Sequence, residues 1–182
     1  MNLAIPSTLL VALAAVPLTG AMAHAADAGE RDVKFFRSVE GQWSGPGEVV
    51  AGKYKGTRFT CDLVGTTPAH HAGMNLDGTC RVGMFTQKMS AHVEERGRSY
   101  HGTFLDGAAG KGLDVIGGNV EGKKVVFVLN RHQLKGTMLA HLPDPNTMNV
   151  TISVRVNDNL VPVIGVSLKR NGEHSAKQVA QE

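Results

Sequence analysis

The residues best equipped for chemistry are two cysteines with a histidine pair between them, in the arrangement Cys61-x8-His70-His71-x8-Cys80. Two thiolates and two imidazoles form the donor set of a Cys2His2 zinc site, here at a spacing unlike the common zinc modules. In an oxidising compartment the same thiols would pair with each other instead. Residues 59, 61 and 63 are apolar at alternate positions, as are 80, 82 and 84. Both cysteines then face the same side of their strands, and a hairpin sets them opposite one another. A disulfide is the expected outcome, contributing about 3 kcal/mol by closing the intervening loop, with zinc as the alternative. His70, His71 and Met74 also offer the imidazole and thioether donors that suit copper. They stand in a Gly- and Pro-containing loop, where adjacent donors commonly bind nothing, so no metal is assigned.

The other chemistry-bearing residues assemble less well. Haem needs an axial donor facing a cavity. His92 alternates with Ser90 and Glu94, and His101 with Ser99 and Thr103, so both belong to polar faces. His132 sits beside a turn, and His141 points away from the Met138, Ala140 and Leu142 face. The stretch from Asp106 to Gly112 resembles a phosphate loop in composition alone, because its glycine spacing is too short and Gly112 replaces the hydroxyl residue. Asp62, Asp77, Asp106 and Asp114 establish no catalytic pair, and there is no Gly-x-Ser-x-Gly elbow. No catalytic residue and no cofactor is assigned, and the chain is read as non-enzymatic.

The elements that must position these residues are short and extended. Val33, Phe36 and Val39 have the spacing of a short amphipathic helix. From Gly41 the pattern changes to period two, with candidate strands at about 43–51, 55–65, 77–86, 88–95, 98–105, 113–120, 123–130, 134–142, 147–156 and 159–169. Turn residues mark the joints, as in Arg96-Gly97, Glu121-Gly122 and Asn157-Asp158-Asn159. Residues 148–156 alternate most regularly, with Met148, Val150, Ile152, Val154 and Val156 on one face and Asn, Thr, Ser and Arg on the other. One buried and one wet face favours antiparallel pairing. Pro162 places the following segment at an edge or a bulge. The fold class is all-β: an antiparallel up-and-down meander of about eight to ten strands closing into a barrel, behind a short N-terminal helix, with a sandwich as the alternative.

The chain of 182 residues is sized for one domain, with 42% hydrophobic residues, 5% aromatics and 22 glycines. That composition excludes a collagen, a coiled coil and a multi-span helical membrane protein. The formal charge is +3, with acids and bases interleaved as in Glu94-Glu95-Arg96-Gly97-Arg98, so the surface reads as mixed and no nucleic-acid partner is expected. Residues 1–25 carry no Asp, Glu, Lys or Arg. An apolar run from Leu9 to Val16, then Pro17, Gly20 and Ala23-His24-Ala25, has the order of a signal peptide cleaved before Ala26, though its n-region lacks a basic side chain. The run is shorter than the about 20 residues of a membrane span. The expected division is a signal peptide at 1–25, a polar lead and helix at 26–40, a barrel domain at 41–170 and a flexible tail at 171–182, in a periplasmic or secreted protein.

The segment Glu40-Gly41-Gln42-Trp43-Ser44-Gly45-Pro46-Gly47 resembles the opening of calycin-type barrels, the lipocalins and their relatives, in which a short helix precedes a Gly-x-Trp first strand. The resemblance implies that Trp43 packs across one end of a barrel. Trp-x-Gly-x-Gly at 43–47 is also similar to the start of nitrobindin-type haem barrels, although the last strand here has no histidine to match their ligand. The chain as a whole resembles small exported proteins of alphaproteobacteria, a likeness that implies a periplasmic location and supplies no activity.

These readings converge on an exported barrel that binds a small, partly apolar ligand or associates with the cell envelope. Phe59, Leu63, Val82, Met84, Phe104, Met138, Val150, Ile152 and Val154 are the expected lining. The alternatives are an envelope protein-interaction module with a filled core and a metal- or haem-binding periplasmic protein.

Overall fold

The structure is a computed structural model that describes residues 22–69, 71–105 and 112–172. Residues 1–21 of the expected signal peptide, His70, the loop at 106–111 and the tail from residue 173 lie outside the described residues, whereas the expected cleavage point before Ala26 falls within the first helix. One helix, α1 (Met22–Arg37), precedes ten strands. These are β1 (Gly41–Val49), β2 (Arg58–Thr66), β3 (Gly73–Val82), β4 (Phe85–Arg96), β5 (Ser99–Leu105), β6 (Leu113–Glu121), β7 (Lys124–Arg131), β8 (Leu134–Asp144), β9 (Thr147–Val156) and β10 (Asn159–Arg170). Each strand pairs antiparallel with its sequence neighbour, and β1 pairs with β10, so the sheet closes with no free edge. The barrel is the expected up-and-down meander, and closure excludes the sandwich.

Period-two patterning decides which face points inward. Val125, Phe127 and Leu129 on β7 are buried together with Met138, Ala140 and Leu142 on β8. The alternate positions on those strands carry Lys124, Asn130, Lys135, Thr137 and His141, interspersed with Val126, Val128 and Leu139. On β3, β4 and β9 the outward positions are polar, with Asn75, Asp77, Thr79, Lys88, Ser90, His92, Asn149, Thr151 and Ser153, unlike the apolar lipid-facing band of a membrane-spanning barrel. No helix among the described residues is long and apolar enough to cross a membrane.

α1 is longer than the expected 33–39, because the Ala-rich segment ahead of Gly29 continues the helix toward its N-terminus. Its last turn carries Lys34 and Arg37, which suit the negative end of the helix dipole. Strands β3 and β4 are also displaced from the expected 77–86 and 88–95. The chain reverses at Gly83-Met84, where Gly83 has φ 56°, a conformation glycine adopts without steric cost. Alternation through 80, 82 and 84 therefore runs past the end of the strand, and Met84 belongs to the turn. The register shift between Pro162 and Ile164 is the bulge expected at that proline.

Candidate functional site

The two ends of the barrel differ. In an up-and-down meander, connections alternate between ends, so β2–β3, β4–β5, β6–β7 and β8–β9 share one end with α1. Here α1 and the turn that follows it lay Phe35, Phe36 and Val39 across the opening, all buried. Phe36 lies 5.3 Å from Tyr100 and 6.4 Å from Phe127, ring centre to ring centre, forming an aromatic plug. Trp43 is wholly buried beside it and donates its indole N–H to Val39 O at 2.8 Å. The Trp43 placement implied by the family resemblance is thus met at this end. The Tyr100 hydroxyl donates to Asp32 Oδ2 at 2.5 Å, tying the helix to β5. Burial, followed by that bond and the nearby acid charge, pushes the Tyr100 phenol far above its usual range.

Away from the plug, the inward face is less well covered. Phe59, Leu76, Cys80, Met89, Phe104, Val150, Ile152 and Val166 pack against the core yet remain only half-buried. Val154 and Ile164 continue this accessible face along β9 and β10. Inward side chains of a closed barrel retain such exposure where solvent reaches the interior. The accessible wall is centred on β9, β10, β1, β2 and β3. On β1, Gly47 leaves room for the Phe59 ring: a Cβ there would lie 2.3 Å from Phe59 Cε2.

The nine expected lining residues divide along this gradient. Phe59, Phe104, Val150, Ile152 and Val154 stand half-buried on the inward face. Leu63, paired with Trp43, and Met138, paired with Phe127, belong to the packed core. Val82 is at the rim, and Met84 is 95% exposed at the tip of the β3–β4 turn.

The rim itself escaped the sequence reading. The β1–β2, β3–β4, β5–β6, β7–β8 and β9–β10 connections all gather at the end opposite α1. Among the described residues, the exposed large hydrophobic side chains concentrate there. Val50 and Tyr54 come from the first connection; Val82, Met84 and Phe85 from the second; Leu105, Leu134, Val156 and Leu160 from the other three. Only Val64, Ile116 and Val128 lie elsewhere. Within these connections and two residues on either side stand Lys53, Lys55, Arg58, Arg81, Arg131, Lys135 and Arg155, against Glu48, Asp114 and Asp158 among the described residues. The signal was present in sequence as apolar residues beside turns, but assigning them to one end required the strand count.

Cys61 and Cys80 are bonded to each other and sit opposite one another on β2 and β3. This settles the pairing in favour of the disulfide and leaves no thiolates for the zinc alternative. The bond is compatible with an extracytoplasmic location. His71 is exposed before β3, while Met74 points inward and is buried, which separates the two described members of the copper set. His92 and His101 lie on the outer wall, His132 in the exposed β7–β8 turn, and His141 on the outward face of β8. None of His92, His101 and His141 lies on the inward face of its strand. On the outer wall, His92 Nδ1 shares a 2.6 Å hydrogen bond with Asn75 Oδ1, and Glu94 pairs with Arg96 at 2.5 Å. The Arg96 guanidinium holds the Glu94 carboxyl below the usual range, with His92 and His71 adding to the effect.

Two concavities are present besides this partly covered inward face. A cleft of about 160 Å³ between α1 and the adjacent strands is lined by charged and polar groups including Arg31, Asp32, Glu95 and Arg98. A shallow groove of about 540 Å³ follows the outer wall over β9, β10 and β1, between Asn149 and Glu48. The cleft is below the roughly 300 Å³ typical of small-molecule pockets, and the groove has no enclosing side.

Compared with known proteins, the chain matches no family model and no curated sequence. The ten-stranded barrel is consistent with a calycin-like architecture.

Proposed function

We propose that the protein is an exported, non-enzymatic binding barrel that takes a small, largely apolar ligand through the end opposite α1. The observation that carries this reading is the contrast along the inward face. Phe36, Trp43 and Phe127 fill one end completely, whereas Phe59, Val150 and Ile152 are half-buried on the same face. A ligand seated against them removes apolar surface from water, at about 25 cal/mol for each Å² covered. No charge on the accessible wall needs to be neutralised, so the ligand's buried part is hydrocarbon or aromatic. A polar end would remain at the rim, among Arg81, Lys135 and Arg155.

Native mass spectrometry of protein recovered from its own host tests this directly, with a discrete ligand mass as the expected result. An environment-sensitive naphthylamine dye supplies a second measurement. Ile152→Trp narrows the lumen and should weaken dye binding about tenfold or more while the fold persists. Ligand-free protein together with unchanged dye binding in Ile152→Trp would remove the proposal and favour a filled interaction module.

A further inference from the structure

We propose that the rim opposite α1 is a docking surface for an anionic lipid bilayer. The surface has two components that a membrane recognises together. The first is apolar and stands at the tips: Met84 is 95% exposed, Phe85 81% and Tyr54 66%. Solvent-exposed large hydrophobic side chains gathered at one end of a molecule mark a surface that is covered in use. The second component is basic. Lys53 and Lys55 flank Tyr54 in sequence, Arg81 stands just before the Met84-Phe85 tip, and Arg155 lies beside the β9–β10 turn. The Lys53 ammonium lies 5.5 Å from the Tyr54 ring centre, so cation and aromatic occupy the same loop tip.

Charge selects the occupant. Among the described residues, seven basic side chains against three acidic ones at this end repel a second copy presenting the same face, and attract a negatively charged partner. Nucleic acid would satisfy the charges but leave Met84 and Phe85 in water. A bilayer satisfies both: Phe85 and Met84 enter the headgroup and upper acyl region, and the lysines and arginines meet the lipid phosphates. The polar outer wall limits insertion to these loop tips, so the barrel stands on the membrane rather than within it. This surface stands independently of the lumen's contents, although docking in this pose turns the open end toward the lipid.

Vesicle co-sedimentation tests the assignment, using protein recovered from its own host. The probe is a vesicle in which about three lipids in ten are phosphatidylglycerol, compared with vesicles of phosphatidylcholine alone. Binding is expected to the anionic vesicles, weakening steeply with added salt. Each basic side chain near the surface contributes about fivefold, so Lys53→Glu with Lys55→Glu should lower binding by at least about twentyfold. Met84→Asp with Phe85→Asp should lower it about tenfold or more; both positions are exposed, and an unchanged melting temperature verifies the fold. Lys123→Glu with Lys124→Glu, at the α1 end, should leave binding within about twofold. No vesicle binding, equal binding to neutral vesicles, or equal loss from the α1-end variant would each overturn the proposal.

Discussion

The guanidinium of Arg170 lies 4.2 Å from the centre of the Trp43 ring, joining the last strand of the barrel to the first. Arg170 also donates to the main-chain carbonyls of Ser38, at 2.7 Å, and Glu40, and its Nε donates to Pro145 O at 2.9 Å. One side chain therefore holds the α1–β1 connection, the β8–β9 turn and the Trp43 plug together. Trp43 pairs with Arg170 in the β1–β10 register, so barrel closure itself brings them into contact.

This convergence makes Arg170 a stability determinant. Arg170→Ala removes the ring contact and leaves the carbonyls of Ser38 and Glu40 without their donor, a loss of about 2–4 kcal/mol in urea denaturation. Arg170→Lys should recover less than about half, because an ammonium cannot reproduce the planar fork that meets several carbonyls while stacking on an indole. Equal stability of Arg170→Ala and the unaltered protein would show that the plug holds without its last-strand contact.

The disulfide gives a second prediction. Thiol titration of the native protein should detect no free Cys61 or Cys80. The paired variant Cys61→Ser with Cys80→Ser should remain a barrel, because both positions lie in paired strands. It should nevertheless lose about 3 kcal/mol, measured as a lower urea midpoint with little change in far-ultraviolet circular dichroism.

Much of this architecture was legible because the pattern and the strand are the same object. In residues 148–156 every second side chain is apolar, and β9 occupies 147–156. The cysteine pairing followed from the same rule. What escaped was information that only closure supplies. Met84 continues the alternation of Cys80 and Val82, yet the reversal at Gly83 takes it out of the strand. Leu63 and Phe59 share a face on β2, but Leu63 lies nearer the aromatic plug and is buried while Phe59 is not. Local interleaving of charge also concealed the rim. Glu95 and Arg96 lie at the α1 end, whereas Lys53, Arg81 and Arg155 come from connections far apart in sequence that closure brings to the opposite end.

Tyr100 should give the protein an alkaline limit. Its folded-state pKa is raised above that of the unfolded chain. The native state thus retains the phenolic proton at pH values where the unfolded chain releases it. The contribution is fully present below the unfolded value of about 10 and declines as pH rises beyond it. The decline reaches about 1.4 kcal/mol per pH unit for one proton. Tyr100→Phe should cost about 1 kcal/mol near neutrality through the lost bond to Asp32, and flatten the stability profile above pH about 10. Urea midpoints of both proteins across the alkaline range provide the check; parallel profiles would show that Tyr100 is not the controlling group.

The accessible wall can be altered from the backbone side at Gly47. Its missing side chain is the space into which the Phe59 ring leans, since a Cβ at 47 would meet Phe59 Cε2 at 2.3 Å and Cζ at 2.4 Å. Gly47→Ala must therefore turn the Phe59 ring away, an overpacking strain costing about 1–3 kcal/mol. Phe59→Ala removes the same ring without strain at Gly47, so the two variants separate strain from lining. If Phe59 lines the site, both should weaken dye binding, and Gly47→Ala combined with Phe59→Ala should be no weaker than Phe59→Ala alone. Recovery of stability in the double variant would identify the ring as the source of the strain. Unchanged dye affinity in both single variants would move the ligand's contacts off β1 and β2, toward Val150 and Ile152 on the opposite side of β10.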